Sequence, residues 1–286
     1  PGVAFFSRLR GKNVIFRASD CILSLGIHWM RTSEPVGLLA AMYALVFERL
    51  TSRLAHLIIV PSEKTKRLFE EHHGVQEDKL FVSPHGYDEK RYSLADDGIR
   101  DSLRSKYSLT SEDFLIVFVG SGDWIPNRIA IKYLGDYLAP FLNTELPRAK
   151  IIVVGRKTEE FKNLESRNLQ VIGEVEDVVP YLVAADLGIA PMKTTGGMSV
   201  KAAEYLMMGL PVIATPEVTE TIGRLKGVTE TDIEHFHLAV LESARGMTIN
   251  KSVRKRIRQE AVRNFSWDRI GANLTDFIWK SFNGPE

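Results

Sequence analysis

The sequence predicts an α/β protein made of doubly wound parallel sheets in two Rossmann-like domains. Three observations carry this. Short apolar runs rich in β-branched residues recur along the chain, segments of helical periodicity separate them, and one polar, charged stretch at 93–113 interrupts the alternation. Strands apolar throughout are buried on both faces, and the intervening helices supply the covering layers.

In the first ninety positions the strands are NVIF at 13–16, HLIIV at 56–60 and KLFVS at 79–83. Between the first two lies a long helical region, in which YALVFERLTSRLA repeats apolar residues at i, i+3 and i+4. PSEKTKRLFEEHHG then opens on Pro-Ser, runs amphipathic and stops at Gly74, as a capped helix does. The polar stretch reads as a linker helix and loop, so the boundary falls near 109, with a first domain at 1–108 and a second at 109–262. The second alternation follows: FLIVFVG at 114–120, a helix at 127–143, KIIVVG at 150–155 and a helix to 167. LQVIG at 169–173, a helix at 177–185, LGIAP at 187–191, a helix at 198–208 and PVIAT at 211–215 complete it. A charged helical tail at 234–262 closes this domain, and 263–286 forms a last helix expected to pack back toward the first domain.

Composition excludes several classes of partner. Thirty-seven Lys+Arg stand against 36 Asp+Glu, a net charge of +1, so no global field draws the protein to nucleic acid or to an anionic membrane. The single cysteine, Cys21, cannot form an internal disulfide and reads as a buried structural thiol in a cytoplasmic protein. No apolar run reaches the roughly 18 residues of a spanning helix. PVGLLAAMYALVF at 35–47 reads as a buried core helix; the alternative is peripheral contact, with the helix lying on the inner face of a membrane.

In doubly wound sheets ligands bind beyond the carboxyl ends of the strands. GSGDWIPN at 120–127 is one such loop: Gly120 lets the backbone approach a ligand, Ser121 is polar, and Asn127 is placed to start the next helix. It lacks the G-x-G-x-x-G spacing of a nicotinamide site. APMKTTGGMSVKAAEYLMMGLPVIAT at 190–215 runs from strand through a glycine pair into a helix and a further strand. Gly196 and Gly197 precede that helix, leaving the amides of Gly197, Met198 and Ser199 free to hold an anion such as a diphosphate. Lys201 and Glu204, three apart, share a face. Two readings stay open: a phosphate-neutralising cation beside a ribose-binding carboxylate, or an exposed ion pair.

These segments resemble the retaining GT-B glycosyltransferase superfamily (glycosyl transferases group 1, family 4-like). The 190–215 stretch is similar to that family's K-x-x-E-Y-L-x-x-G-x-P-V-I donor-site motif. GEVEDVVPYLVAADLGIAP at 173–191 resembles its G-x-V-x-D-x-x-x-Y-x-x-A-D segment, and PHGYDEKRY at 84–92 its P-N-G-V-D interdomain turn. FVGSGDWIPN resembles the opening of the donor domain, and NFSWDRI at 264–270 the start of the C-terminal helix. The resemblance implies two domains with a cleft between them and transfer of a sugar from a UDP- or GDP-linked donor to a saccharide or lipid-linked acceptor, as in polysaccharide synthesis. No cofactor and no metal are implied. Glu204 would hold the ribose, the Gly197–Ser199 amides the diphosphate, with Lys201 assisting, and Gly173 to Val175 would border the base. Gly155 and Arg156, following a strand, would line the same donor site. One departure stands out: the family's first glutamate, eight positions before Glu204, is here Gly196.

The catalytic side is carried by IFRASDCILSLG at 15–26, which resembles a family segment whose Asp faces the acceptor. Asp20 is then a candidate base or charge-stabilising carboxylate, a helix N-cap being the other reading. His85, in the interdomain turn, is expected to face the cleft. The first domain is short and the chain opens on Pro1, so the N-terminal domain reads as incomplete. The alternatives are therefore a non-catalytic nucleotide-sugar-binding protein, half of a split enzyme completed by a second chain, or a nucleotide-sugar epimerase of the same fold.

Overall fold

The computed structural model describes residues 2–31, 37–92, 97–246 and 250–284. The chain divides into two units, each with its own parallel sheet. The first comprises Pro1–His85, Gly196–Met198 and Ile270–Glu286; the second comprises Gly86–Thr195 and Ser199–Arg269.

In the first unit β1 (Ile15–Arg17), β2 (Leu57–Val60) and β3 (Leu80–Val82) lie in that order, all parallel, with Phe16 beside Ile58 and Ile58 beside Leu80. β2 is central and buried throughout, as its apolar run requires. The Glu63–His73 helix begins at Ser62, whose hydroxyl accepts the Thr65 amide, and ends at Gly74 in the left-handed conformation. The core gathers around Ile58, Val60, Phe69 and Leu80, and is otherwise filled by small residues such as Ala18, Ala41, Ala44 and Ala55. From the last helix, Phe277 stacks on Phe81 with ring centroids 4.2 Å apart.

The run at 35–47 departs from the buried helix expected of it. Pro35 and Val36 lie outside the described residues. The remainder forms the Gly37–Tyr43 helix and a π turn, Ala44–Glu48, that leads into the Arg49–Leu54 helix. Leu38, Leu39, Met42, Leu45, Val46 and Phe47 are exposed; only the small residues Gly37, Ala41 and Ala44 and the carboxylate Glu48 turn inward. An inward stripe of small residues cannot bury the large ones beside it.

In the second unit β4 (Phe114–Val119), β5 (Ala149–Val154), β6 (Leu169–Gly173), β7 (Leu187–Ala190), β8 (Val212–Ala214) and β9 (Val228–Glu230) form one parallel sheet in the order β6-β5-β4-β7-β8-β9. The chain winds outward from β4 through β5 and β6, returns to β7 beside β4, and winds the other way. The reversal makes the carboxyl ends of β4 and β7 the topological switch point, where such sheets bind ligands. The helix expected at 127–143 is Ile125–Tyr133, a π turn at Leu134–Leu138, and Ala139–Glu145. The one expected before 167 is a short 3-10 helix, Thr158–Leu164, and the charged tail divides into Phe236–Gly246 and Lys251–Phe265.

Residues 86–108, expected in the first domain, group with the second unit, and their charges show why. From the Asp97–Lys106 helix, Arg100 meets Asp186 at 2.5 Å and donates to the carbonyls of Val183, Ala184 and Ala185 at the end of the Val179–Ala184 helix. Arg104 reaches Asp186 at 3.2 Å and the Ala184 carbonyl at 3.0 Å. Together with Arg254, which also donates to the Ala185 carbonyl, the two guanidiniums satisfy the C-terminus of this helix. Asp186 also accepts the Leu115 amide of β4 at 2.8 Å.

Candidate functional site

The Val200–Met207 helix is fixed to the sheet by Tyr205. That side chain is fully buried, its ring lies where a Cβ on Gly188 of β7 would stand, and its hydroxyl accepts the Val119 amide of β4 at 2.7 Å. Gly188 is therefore required for close approach, and the bond to β4 sets the helix's rotation. Lys201 and Glu204 follow from that rotation.

Lys201 is half-buried as a residue, but its ammonium sits at the switch point. Nζ donates to Asn127 Oδ1 at 2.5 Å and to Met192 Sδ, just beyond β7, at 3.4 Å, and lies 4.4 Å from the ring centroid of Phe118 in β4. Among the described residues no carboxylate pairs with it. Burial without a counter-charge pushes its pKa down to about 7. Glu204 makes no pair with Lys201, so the ion-pair reading fails. Its Oε1 accepts the Tyr92 hydroxyl at 2.5 Å, and burial raises its pKa above the ordinary carboxylate value. Tyr92 is held in turn by Tyr87, 5.2 Å away edge-to-face, whose hydroxyl donates to the Val200 carbonyl at 2.7 Å. Neither tyrosine was visible as a site residue in the sequence, although both stand in PHGYDEKRY.

Asn127 does not start its helix. Pro126 occupies the first turn and Trp124 the cap position, while buried Asn127 donates from Nδ2 to the Ser121 carbonyl at 2.9 Å and accepts Lys201 at Oδ1. It thereby joins the Gly120–Ser121 loop to the lysine. The neighbouring strand ends are laced together: Gly120 donates to Val154, Gly155 to Gly173 at 2.9 Å, and Gly122 to Arg156 at 2.8 Å. Arg156 is exposed and pairs with Asp123 at 2.8 Å, and Val175 is half-buried just past β6.

The expected amide cradle is partly occupied from within. The Ser199 amide donates to Thr221 Oγ1 at 3.0 Å, and in the first unit the Gly197 amide donates to the Asp20 carboxylate. The Gly197 carbonyl accepts Ser62 Oγ at 2.7 Å and Thr65 Oγ1 at 3.3 Å, and its φ of +35° lies in the left-handed region. A Cβ on Gly196 would fall on Asp20 Oδ2, so residue 196 is glycine because another carboxylate fills its side-chain space. Met198 is buried, with Sδ accepting the His85 amide at 3.3 Å. The His85 ring, half-buried, has its pKa lowered by burial and by Arg17.

Asp20 itself is half-buried with a raised pKa, chiefly from burial. Oδ1 accepts the Cys21 amide at 2.8 Å, but the helix that follows, Ile22–Arg31, is capped by Glu48, which accepts the Ile22 and Leu23 amides at 3.1 and 3.2 Å. Glu48 is steadied by His73 Nε2 at 2.9 Å. Cys21 Sγ lies 3.9 Å from that nitrogen, and burial pushes the thiol up to about 12. Cys21, Glu48 and His73 are close enough to be cation ligands. His73 Nδ1, however, is buried without a partner. A metal-bound Nε2 would leave Nδ1 as an unsatisfied buried N–H, whereas an Nε2–H donating to Glu48 leaves only a lone pair there. The trio is better explained as a helix cap.

A switch-point cation, a carboxylate on the same helix and two parallel sheets are features of the GT-B fold. Residues 113–244, which apart from 196–198 lie within the second unit, match the family model described as Glycosyl transferases group 1. Among solved structures, the chain is similar to Anabaena Alr3699/HepE in complex with UDP and glucose, at 17% identity, TM-score 0.71, over 96% of this chain and 74% of that one. It is similar to sucrose-phosphate synthase from Thermosynechococcus elongatus, at 16% identity, TM-score 0.73, over 97% and 71%. It is also similar to WaaG, a glycosyltransferase involved in lipopolysaccharide biosynthesis, at 17% identity, TM-score 0.66, over 95% and 75%. At these identities the likeness establishes the fold. No curated protein sequence matches the chain.

Proposed function

We propose that the protein transfers a sugar from a nucleotide-diphosphate donor to a saccharide or lipid-linked acceptor in the cytoplasm, at the membrane's inner face, as part of polysaccharide or glycoconjugate synthesis. The observation that carries this is Lys201, an ammonium at the switch point with no carboxylate partner among the described residues and a pKa depressed to about 7. Such a group gains what it lacks when an anion arrives. The donor's diphosphate meets Lys201, and the free oxygen of Glu204, whose Oε1 is already held by Tyr92, accepts a ribose hydroxyl. UDP complexes of HepE support the choice of nucleotide. As the bond to the sugar breaks, negative charge grows on the leaving diphosphate, and Lys201 neutralises it in place of a divalent metal. On the acceptor side, Asp20 of the first unit, its pKa raised, is the candidate base or charge-stabilising carboxylate.

Calorimetry with UDP, GDP and UDP-glucose tests the reading. Lys201→Met is expected to weaken binding about 10- to 100-fold, the worth of a charge-assisted hydrogen bond. Because the anion selects the protonated amine, wild-type affinity falls as pH rises above about 7. Equal affinity in the variant, or no nucleotide binding by wild type, refutes it. The three-stranded sheet of the first unit, half the strand count of the second, favours one other reading: a nucleotide-sugar-binding protein completed by a second chain. Turnover of donor without acceptor would instead indicate an epimerase or hydrolase.

A further inference from the structure

Of the three amides just before the Val200–Met207 helix, two are already spoken for. The Gly197 amide goes to the Asp20 carboxylate and the Ser199 amide to Thr221 Oγ1. Among the described residues the Met198 amide has no partner. Its direction is set by its neighbour, because the peptide joining Gly197 to Met198 is planar and trans, with the Gly197 carbonyl and the Met198 N–H on opposite edges. Whatever holds the carbonyl therefore aims the amide.

Two hydroxyls hold it. Ser62 Oγ donates to the Gly197 carbonyl at 2.7 Å, and Thr65 Oγ1 stands 3.3 Å from the same oxygen and 3.0 Å from Ser62 Oγ. Ser62 and Thr65 are 3% and 1% exposed, so water does not compete for these bonds. Ser62 also caps the Glu63–His73 helix, but capping uses a lone pair of its oxygen and leaves the hydroxyl proton over. That proton goes to a residue 135 positions away, a bond the helix itself does not need. The loop is seated tightly: a Cβ on Gly197 would overlap the Ser19 carbonyl. With Asp20 on the amide of Gly197 and Ser62 on its carbonyl, the loop is held against turning over. All of these residues belong to the first unit.

We infer that Ser62, backed by Thr65, is a positioning residue for the donor: it holds the Gly197 carbonyl so that the Met198 amide stays turned toward the diphosphate. The inference rests on the nucleotide-sugar reading of the site. Its test is affinity for UDP and for uridine, which has the base and ribose but no diphosphate. Ser62→Ala should weaken UDP binding about fivefold, the worth of one hydrogen bond, and leave uridine unchanged. Ser62→Thr keeps both the cap and the proton and should restore UDP binding. Thr65→Val removes the second hydroxyl while the residue 65 amide stays on the cap, and should weaken UDP about twofold. A lost cap alone lowers the melting temperature and treats the two ligands alike. Unchanged UDP affinity in Ser62→Ala, an equal loss for uridine, or no recovery in Ser62→Thr overturns the inference. If Ser62→Ala does not fold, Thr65→Val decides by the same comparison of the two ligands. Wild-type protein that binds neither ligand refutes the nucleotide-sugar reading itself, and this inference with it.

Discussion

The two units spend their apolar residues in opposite ways. In the second, Leu115 to Phe118 and Ile151 to Val154 are buried in strands covered on both faces, and even Arg100 and Arg104 find partners at a helix end. In the first, four of the ten buried core residues are alanine, while Leu38, Leu39, Met42 and Phe47 stand outside. The second unit buries its apolar strands and holds Lys201 at the switch point with no carboxylate partner among the described residues. The first leaves the large apolar side chains of 38–47 exposed.

The sharpest way to break this contrast is at the charge cluster of the second unit. Asp186 accepts from Arg100, Arg104 and the Leu115 amide, and its side chain is 14% exposed. Asp186→Ala leaves two guanidiniums and an amide without their acceptor and should cost about 3–5 kcal/mol. The loss is read as a lowered urea midpoint, with β4 amides losing protection from hydrogen exchange. If 86–108 were only a linker, the midpoint would stay in place.

Glu48→Ala is the corresponding change in the first unit. It strips the Ile22 and Leu23 amides and His73 of their acceptor, at a cost of roughly 2–3 kcal/mol. Faster exchange should be confined to 22–31 and the Glu63–His73 helix, with β4 and β5 unaffected. Equal acceleration in both sheets would mean that the units unfold as one and that the contrast in packing has no energetic counterpart.

Legibility in sequence follows the same division. The strands of the second unit could be read because each is a continuous apolar run, and Lys201 and Glu204 because three-residue spacing on a helix fixes a shared face. Their partners could not: Asn127 lies 74 positions from Lys201 and Tyr92 lies 112 from Glu204, and only the fold brings them together. Glu48 and His73, 25 apart, were hidden in the same way. The run at 35–47 misled for a different reason. Hydropathy reports that a segment avoids water, not which face does so, and here small residues were needed inside for close helix packing. The Ser199 and Gly197 amides were expected to be free because local geometry leaves them so; Thr221 and Asp20 come from elsewhere in the chain.

Tyr92→Phe sharpens the contrast at the scale of one bond. It removes the donor to Glu204 Oε1 without disturbing the ring packed on Tyr87. The expected loss of UDP affinity is about 1 kcal/mol, the net worth of one hydrogen bond, with little change in stability. A purely structural tyrosine would give the opposite pattern in calorimetry and melting.

The smallest effect is expected where side chains are largest and most exposed. Leu39→Gln should shift stability by no more than about 0.5 kcal/mol, since the leucine is 69% exposed and meets mainly water. A leucine in the second unit's core, such as fully buried Leu142, should cost several-fold more on the same exchange to glutamine, through lost packing and a buried unpaired amide. The test is the ratio of the two losses in urea titrations of otherwise identical proteins. A large ratio means that the outward face of 37–54 contributes nothing to the fold. A ratio near one would mean that Leu39 is already covered in solution, and the search for its partner would begin with another copy of the chain.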